Sequence, residues 1–128
     1  SNALIDEIQG ALSVAAEVEG YLAGDRAAKK RLVRRPEAPL GLQVASAGSN
    51  PPDGEIASAR RDLATWTTKD LHPSRLVDGW ALQEMGYRPG PGIKHALVAV
   101  ETAQLNGTVT TPDEARALAQ ALLDDVTD

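Results

Sequence analysis

The chain has 128 residues, enough for the core of one domain but too few for a core and a full catalytic domain. It has no cysteine, which excludes a disulfide framework and a zinc site with thiolate ligands, and its formal net charge of −5 argues against a general polyanion binder. No apolar run is long enough to span a bilayer and nothing resembles a signal peptide, so we expect a cytoplasmic protein.

Aromatic residues are scarce, with two Trp, two Tyr and no Phe, so the core must be built from aliphatic side chains and abundant Ala. Ala-rich helices pack closely, and this composition favours an all-α fold, a small bundle of about five to six helices with one long Pro/Gly-rich loop. Residues 1–3, Ser-Asn-Ala, are typical of the remnant of a removed tag and carry no weight in this prediction.

Residues 4–35 are predicted to form N-terminal helices that include a basic segment. The first helix follows residues at helical spacing, namely Leu4, Ile8, Leu12, Ala15, Val18 or Glu19, and Leu22. A second helix over residues 26–34 uses Ala28, Leu32 and Val33 as its apolar contacts; it either follows a break at Gly24 or continues the first helix, since Gly alone is a weak breaker. Cations crowd this segment: Arg26, Lys29, Lys30, Arg31, Arg34 and Arg35. Lys30 and Arg34 are four residues apart and share one helix face, so they are candidate RNA contacts; the alternative is a solvated helix end.

Residues 36–54 are predicted to be a loop or linker, because Pro and Gly are frequent there. Leu40, Leu42 and Val44 alternate inside it and could form one short strand. A structureless segment of this length is unusual inside a compact domain, so it is either a mobile loop or a linker between two helical subdomains.

Residues 55–128 are predicted to be a C-terminal helical region. A helix over 55–66 presents Ile56, Ala59, Leu63 and Trp66 on one face, and a connector follows over 67–74. Asp78 is a candidate N-cap for a short helix through Met85, and Gly86 stands where a left-handed C-cap is expected. A helix over 91–106 ends at Gly107. The last helix opens on a capping box at Thr111-Pro112-Asp113-Glu114, with Ala115, Leu118, Ala119 and Leu122 facing inward.

A rigid loop opens directly into the helix over 91–106, with the sequence Arg88-Pro89-Gly90-Pro91-Gly92-Ile93-Lys94. Pro89 and Pro91 prevent the preceding helix from continuing, whereas Gly90 and Gly92 leave the backbone bare. A helix N-terminus with free amides and with Arg88 and Lys94 beside it suits a phosphate. The alternative is a tight interhelical turn that needs Gly and Pro for its geometry alone.

Three segments carry a resemblance to a known family: Leu76 to Ile93, then Ala103-Gln104-Leu105-Asn106-Gly107, then Thr111-Pro112-Asp113-Glu114-Ala115. Residues 76 to about 118 resemble the C-terminal helical region of the bacterial poly(A) polymerase / tRNA nucleotidyltransferase (CCA-adding) family. The Pro-Gly-Pro loop and the Ala-Gln-Leu-x-Gly turn are its most specific parts. Ala81 departs from the pattern, since the family usually has Asp before this Leu. The loop also resembles a helix-hairpin-helix element, which places loop amides on a nucleic-acid phosphate.

Catalytic chemistry is missing from this sequence. Nucleotidyl transfer needs carboxylates on a rigid strand to hold Mg²⁺ and a Gly-rich loop for the triphosphate, and neither pattern is present. Asp124-Asp125 is interpreted as part of a solvated tail. His72 and His95 have no partners at metal-ligand spacing; His95 is either an exposed helix residue or an aid to a phosphate contact.

The resemblance implies a non-catalytic C-terminal domain that docks tRNA or another structured RNA while the catalytic head of the same polypeptide adds nucleotides. The expected RNA-binding residues are Arg88, Gly90, Gly92, Lys94, Lys30 and Arg34, with no catalytic or metal-binding residue. Mg²⁺ and nucleoside triphosphates are expected only for the catalytic domain, so this chain needs no cofactor. The alternative is a structural or protein-interaction helical domain without nucleic-acid binding, which the acidic net charge and low aromatic content favour.

Overall fold

The structure, a computed structural model, describes residues 2–48 and 53–127, and these ranges contain eight α-helices, one 3₁₀ helix and no strand. The α-helices are α1 (Asn2–Glu17), α2 (Arg26–Val33), α3 (Ala38–Ser46), α4 (Asp53–Thr65), α5 (Thr68–Leu71), α6 (Gly79–Met85), α7 (Pro91–Leu105) and α8 (Pro112–Thr127), and the 3₁₀ helix is Val18–Ala23. The all-α prediction is confirmed, although the helices outnumber the expected five to six. None of the helices in these ranges is long and apolar enough to cross a membrane.

Two compact units divide the chain, Ser1–His72 and Pro73–Asp128. The sequence grouped residues 55–128 into one C-terminal region. In the structure α4 and α5 belong to the first unit instead, where α4 packs on the 3₁₀ helix and on α3. The segment that carries the family resemblance, residues 76 to about 118, lies wholly within the second unit.

The loop predicted over residues 36–54 is wrong for its central part, since Ala38–Ser46 forms α3. Pro39 lies in the first turn of α3, where its missing N–H breaks no intrahelical hydrogen bond. Gly41 is buried where α3 meets α1, and a Cβ there would lie 2.5 Å from the Cβ of Val14. Pro39 therefore helps to begin a helix here, and Gly41 allows that helix to pack closely on α1. No strand forms at Leu40 to Val44. Residues 49–52 of the predicted loop lie outside the described residues.

The apolar face predicted for the first helix is wrong at Leu4, Ile8, Leu12 and Leu22, whereas Val18 is buried as predicted. Leu4, Ile8 and Leu12 are 56, 48 and 55% exposed. The side chains that α1 buries are Ala11 and Val14, and Val14 packs with Val18 and Tyr21 of the 3₁₀ helix in the core of the first unit. Small residues face inward because α3 crosses α1 at close range, which leaves the larger aliphatic side chains on the outside.

The second unit agrees closely with the predicted local structure. The Asp78 carboxylate accepts a hydrogen bond from the N–H of Ala81 at 2.8 Å, which confirms the N-cap of α6. Gly86 ends that helix with a φ of 117°, and the N–H of Tyr87 reaches back to the carbonyl of Leu82, as expected for a left-handed C-cap. Leu82 is fully buried in the core of this unit together with Val77, Ala96 and Val100, and Leu105 is fully buried as well.

The capping box at the start of α8 is confirmed as well. Thr111 Oγ1 accepts a hydrogen bond from the Glu114 N–H at 3.2 Å, and Glu114 Oε1 accepts from the Thr111 N–H at 3.1 Å. Hydrogen bonds from the hydroxyl and N–H of Thr110 also reach this carboxylate and, with those from Thr111, hold the pKa of Glu114 below its ordinary value.

Candidate nucleic-acid interface

The loop between α6 and α7 is exposed throughout residues 88–92. Gly90 has a φ of 139°, which favours glycine, and it forms the N-cap of α7 without any side-chain hydrogen bond. Pro91 follows in the first helical turn, as predicted. By contrast, α2, α5 and α6 are capped by the side chains of Asp25, Thr67 and Asp78. The start of α7 therefore presents backbone rather than side chain to its surroundings.

Tyr87 fixes the start of this loop against α8. Its hydroxyl donates a hydrogen bond to the carbonyl of Ala119 at 2.7 Å. Partial burial, and secondarily the charge of Asp124, raise the pKa of Tyr87, so its hydroxyl stays protonated at neutral pH and can continue to donate. The loop thus begins from a defined point on the folded unit.

A groove of about 620 Å³ runs beside the loop, and Arg88, Gly90 and Gly92 all line it. Most of the other lining residues are apolar, including Ala96, Ala99, Leu122 and Leu123. His95 and Asp125 also line the groove, so a carboxylate lies in the same groove as the Arg88 guanidinium. The structure brings three of the predicted residues together on one surface, but that surface is not uniformly basic.

Lys94 lines a different groove of the second unit. It is exposed on α7 and lies with Arg75, Leu97 and Glu101 around a groove of about 370 Å³. His95 faces the loop groove instead, although it is the next residue along the helix. Lys94 was predicted to lie beside the loop because it follows the loop closely in the chain. In the structure the helix directs its side chain toward the other groove instead.

Lys30 is not on an open surface, contrary to the prediction of an RNA-facing stripe. It is only 8% exposed, and its ammonium lies 5.5 Å from the centre of the Trp66 ring. Burial lowers the pKa of Lys30, against the opposing influence of the Asp70 carboxylate. Lys30 is therefore a packing residue of the first unit, with its stem among apolar groups and its charge against an aromatic face.

Arg34 is half-buried and also has a structural role. Its guanidinium donates a hydrogen bond to the carbonyl of Leu71 at 3.3 Å, and its backbone N–H closes the last turn of α2. The expected pair of Lys30 and Arg34 thus holds α2 against α4 and α5. Of the other cations of this segment, Arg26 is exposed, whereas Lys29, Arg31 and Arg35 are half-buried like Arg34.

No role is predicted from the sequence for Trp80, which is 76% exposed on α6. An exposed indole is rare and is able to stack on a nucleobase. Trp80 lies two residues before the buried Leu82 on the same helix, and residues two apart on a helix do not share a face. This spacing is the signal from which its exposure could have been predicted.

No family model, no curated protein and no solved structure matches this chain. Within the part of the chain that the structure describes, no three His, Asp or Glu side chains come together in a way that could hold a metal ion. Evidence for the function of the second unit therefore comes from its geometry and from the sequence pattern of residues 76 to about 118.

Proposed function

We propose that the chain is the non-catalytic C-terminal part of a poly(A) polymerase / tRNA nucleotidyltransferase-like protein and that it docks tRNA. The observation that carries this proposal is the exposed start of α7 next to Arg88, which no side chain caps and where Gly90 and Gly92 leave the backbone bare. The Pro-Gly-Pro loop and the Asn-Gly turn of the resembled family lie here in one compact unit, at the start and the end of α7.

The proposed contact is between the RNA backbone and the outer surface of the loop. Pro91 has no N–H and the Ile93 N–H donates to the Gly90 carbonyl at 3.2 Å, so a phosphate there would meet the Gly92 N–H and the guanidinium of Arg88. Both of these groups favour an anion. A phosphate deeper in the groove would meet the carboxylate of Asp125 and apolar side chains. Such contacts position an RNA without reading its sequence, which suits a domain that holds one structured RNA for a catalytic head.

Loop variants test this proposal. Arg88→Ala should weaken tRNA binding about tenfold at low salt, since a charge-assisted hydrogen bond contributes about 1.5 kcal/mol or more. Gly92→Val should also weaken binding, because its side chain would cover the backbone at the start of α7. The melting temperature should not change, since Gly92 has no positive φ and an ideal Cβ there meets no atom within 4 Å. Affinities would be measured by filter binding and stabilities by thermal unfolding.

Matched controls separate RNA contact from folding. Arg116→Ala removes an exposed cation of α8 that does not line the loop groove, and it should change affinity less than twofold. Gly90→Ala is unsuitable as a clean probe, because a φ of 139° strains any side chain by about 1–3 kcal/mol. Wild-type affinity in both Arg88→Ala and Gly92→Val would show that the loop is only a turn.

A second candidate function is a protein-interaction domain, and the outer face of α1 favours it. Leu4, Ile5, Ile8 and Leu12 are 48 to 56% exposed, although large aliphatic side chains rarely cluster on an open helix face. The catalytic head expected from the resemblance is the partner that this face would contact. Such a contact is compatible with tRNA docking, whereas a purely structural role predicts no tRNA binding at all.

A further inference from the structure

The first unit contains a pocket of about 420 Å³ between the 3₁₀ helix and α2. Its charged lining consists of Lys29, Arg31, Arg35 and Glu17. Three cations against one carboxylate leave a formal surplus of two positive charges, in a chain whose net charge is −5. A local surplus of positive charge attracts an anion to this pocket, although the chain as a whole is acidic.

Two of these cations are held in place by the fold. The ammonium of Lys29 lies 5.8 Å from the centre of the Tyr21 ring, and that ring is buried with its hydroxyl donating to Asp62. The guanidinium of Arg35 bonds to the Glu17 carboxylate and to Ser13 Oγ at 3.3 Å. Side chains that are already ordered lose less entropy when they bind a ligand.

One residue of the pocket lining has no side chain. Gly20 lines it without a side chain, and an ideal Cβ at Gly20 meets nothing within 4 Å. The volume exceeds that of one phosphate, so the neighbouring sugars of a nucleic-acid backbone have room. Arginine forks and a lysine ammonium are the groups that bind phosphate oxygens most effectively.

We propose that this pocket binds a phosphate group of the RNA backbone, as a second docking point in place of the Lys30 and Arg34 pair. The inference rests on the proposed function for the source of the phosphate. The Glu17 carboxylate limits the strength of the site, because it neutralises Arg35 in the free protein. A bound phosphate competes with Glu17 for that guanidinium.

Four substitutions address the pocket in different ways. Lys29→Gln and Arg31→Gln each remove a cation, and Gly20→Leu adds a bulky uncharged side chain at a residue that lines the pocket. Each should weaken tRNA binding about tenfold at low salt. Glu17→Gln should tighten binding about threefold by releasing Arg35. The matched control is Arg26→Gln, an exposed cation of α2 outside the pocket, which should change affinity less than twofold.

The experiment measures tRNA affinity by filter binding and, separately, follows the backbone amides of Gly20 and Lys29 by NMR during titration with inorganic phosphate. Thermal unfolding of each variant shows that it is folded. The proposal requires saturable phosphate shifts in the wild type that Gly20→Leu removes, together with the four affinity changes.

The outcomes separate the two proposals. Pocket variants that bind tRNA as tightly as Arg26→Gln, in a protein whose Arg88→Ala variant binds weakly, would overturn the pocket and leave the loop as the docking point. Saturable phosphate shifts without any tRNA binding would overturn the proposed function and keep a phosphate site. Absence of the phosphate shifts would overturn the pocket site in either case.

Discussion

Replacing Gly41 by Ala lowers the free energy of unfolding of the first unit by about 2–3 kcal/mol, although Ala is the better helix former. A Cβ at position 41 would lie 2.5 Å from Val14 Cβ and 2.9 Å from the Ala11 carbonyl oxygen. Val14 is fully buried, so neither atom can move without separating α1 from α3. Urea unfolding followed by circular dichroism measures the change.

The control for this prediction is Gly54→Ala in α4, where an ideal Cβ meets no atom within 4 Å. It should leave stability unchanged or raise it by up to about 1 kcal/mol, as expected from helix propensity alone. Equal stability of Gly41→Ala and Gly54→Ala would mean that the helices do not cross at Gly41.

Lys30→Glu destabilises the first unit by about 2–3 kcal/mol, because it removes the cation from the Trp66 ring and brings a carboxylate toward Asp70. Lys30→Met keeps the apolar stem and should cost less than about 1 kcal/mol. The two variants are compared by thermal unfolding, with tRNA affinity measured below the melting transition.

This comparison separates the packing role of Lys30 from an RNA contact. Lys30→Met should bind tRNA as the wild type does, since the ammonium that it removes does not face an open surface. A loss of affinity in Lys30→Met at unchanged stability would contradict the placement of this side chain and restore it as an RNA contact.

Local signals in the sequence predicted the second unit well. Asp78, Gly86 and the Thr111–Glu114 box are each sufficient to start or end a helix, because the hydrogen bonds that they make are within a few residues of each other. The exposed Gly90-Pro91 start of α7 follows from the same short-range rules. Predictions of this kind do not depend on which helices pack together.

The first unit was predicted less well because its features depend on contacts between distant residues. Gly41 and Pro39 are typical of a loop, and only the approach of α1 makes them suitable for α3. The same approach buries Ala11 and Val14 instead of Leu4 and Leu12, although both sets have helical spacing. A wide apolar arc on a helix does not reveal which part of it faces the core.

The residues of the candidate site also divide into those placed by local sequence and those placed by contacts with distant residues. Arg88, Gly90 and Gly92 lie together because they are neighbours in one loop. Lys30 is buried because Trp66, thirty-six residues later in the chain, packs against it. The pocket of Lys29, Arg31 and Arg35 involves Glu17 of another helix, so the pattern of charges along α2 alone could not reveal it.

The most direct measurement for the central claim is the salt dependence of tRNA binding by the intact chain. Phosphate contacts release counterions, so we expect log Kd to rise linearly with log salt concentration with a slope of about 2 or more, and to lose about one unit of slope in Arg88→Ala. Binding that is absent at low salt, or an affinity that does not change with salt, would contradict RNA docking and leave the chain as a structural or protein-interaction domain.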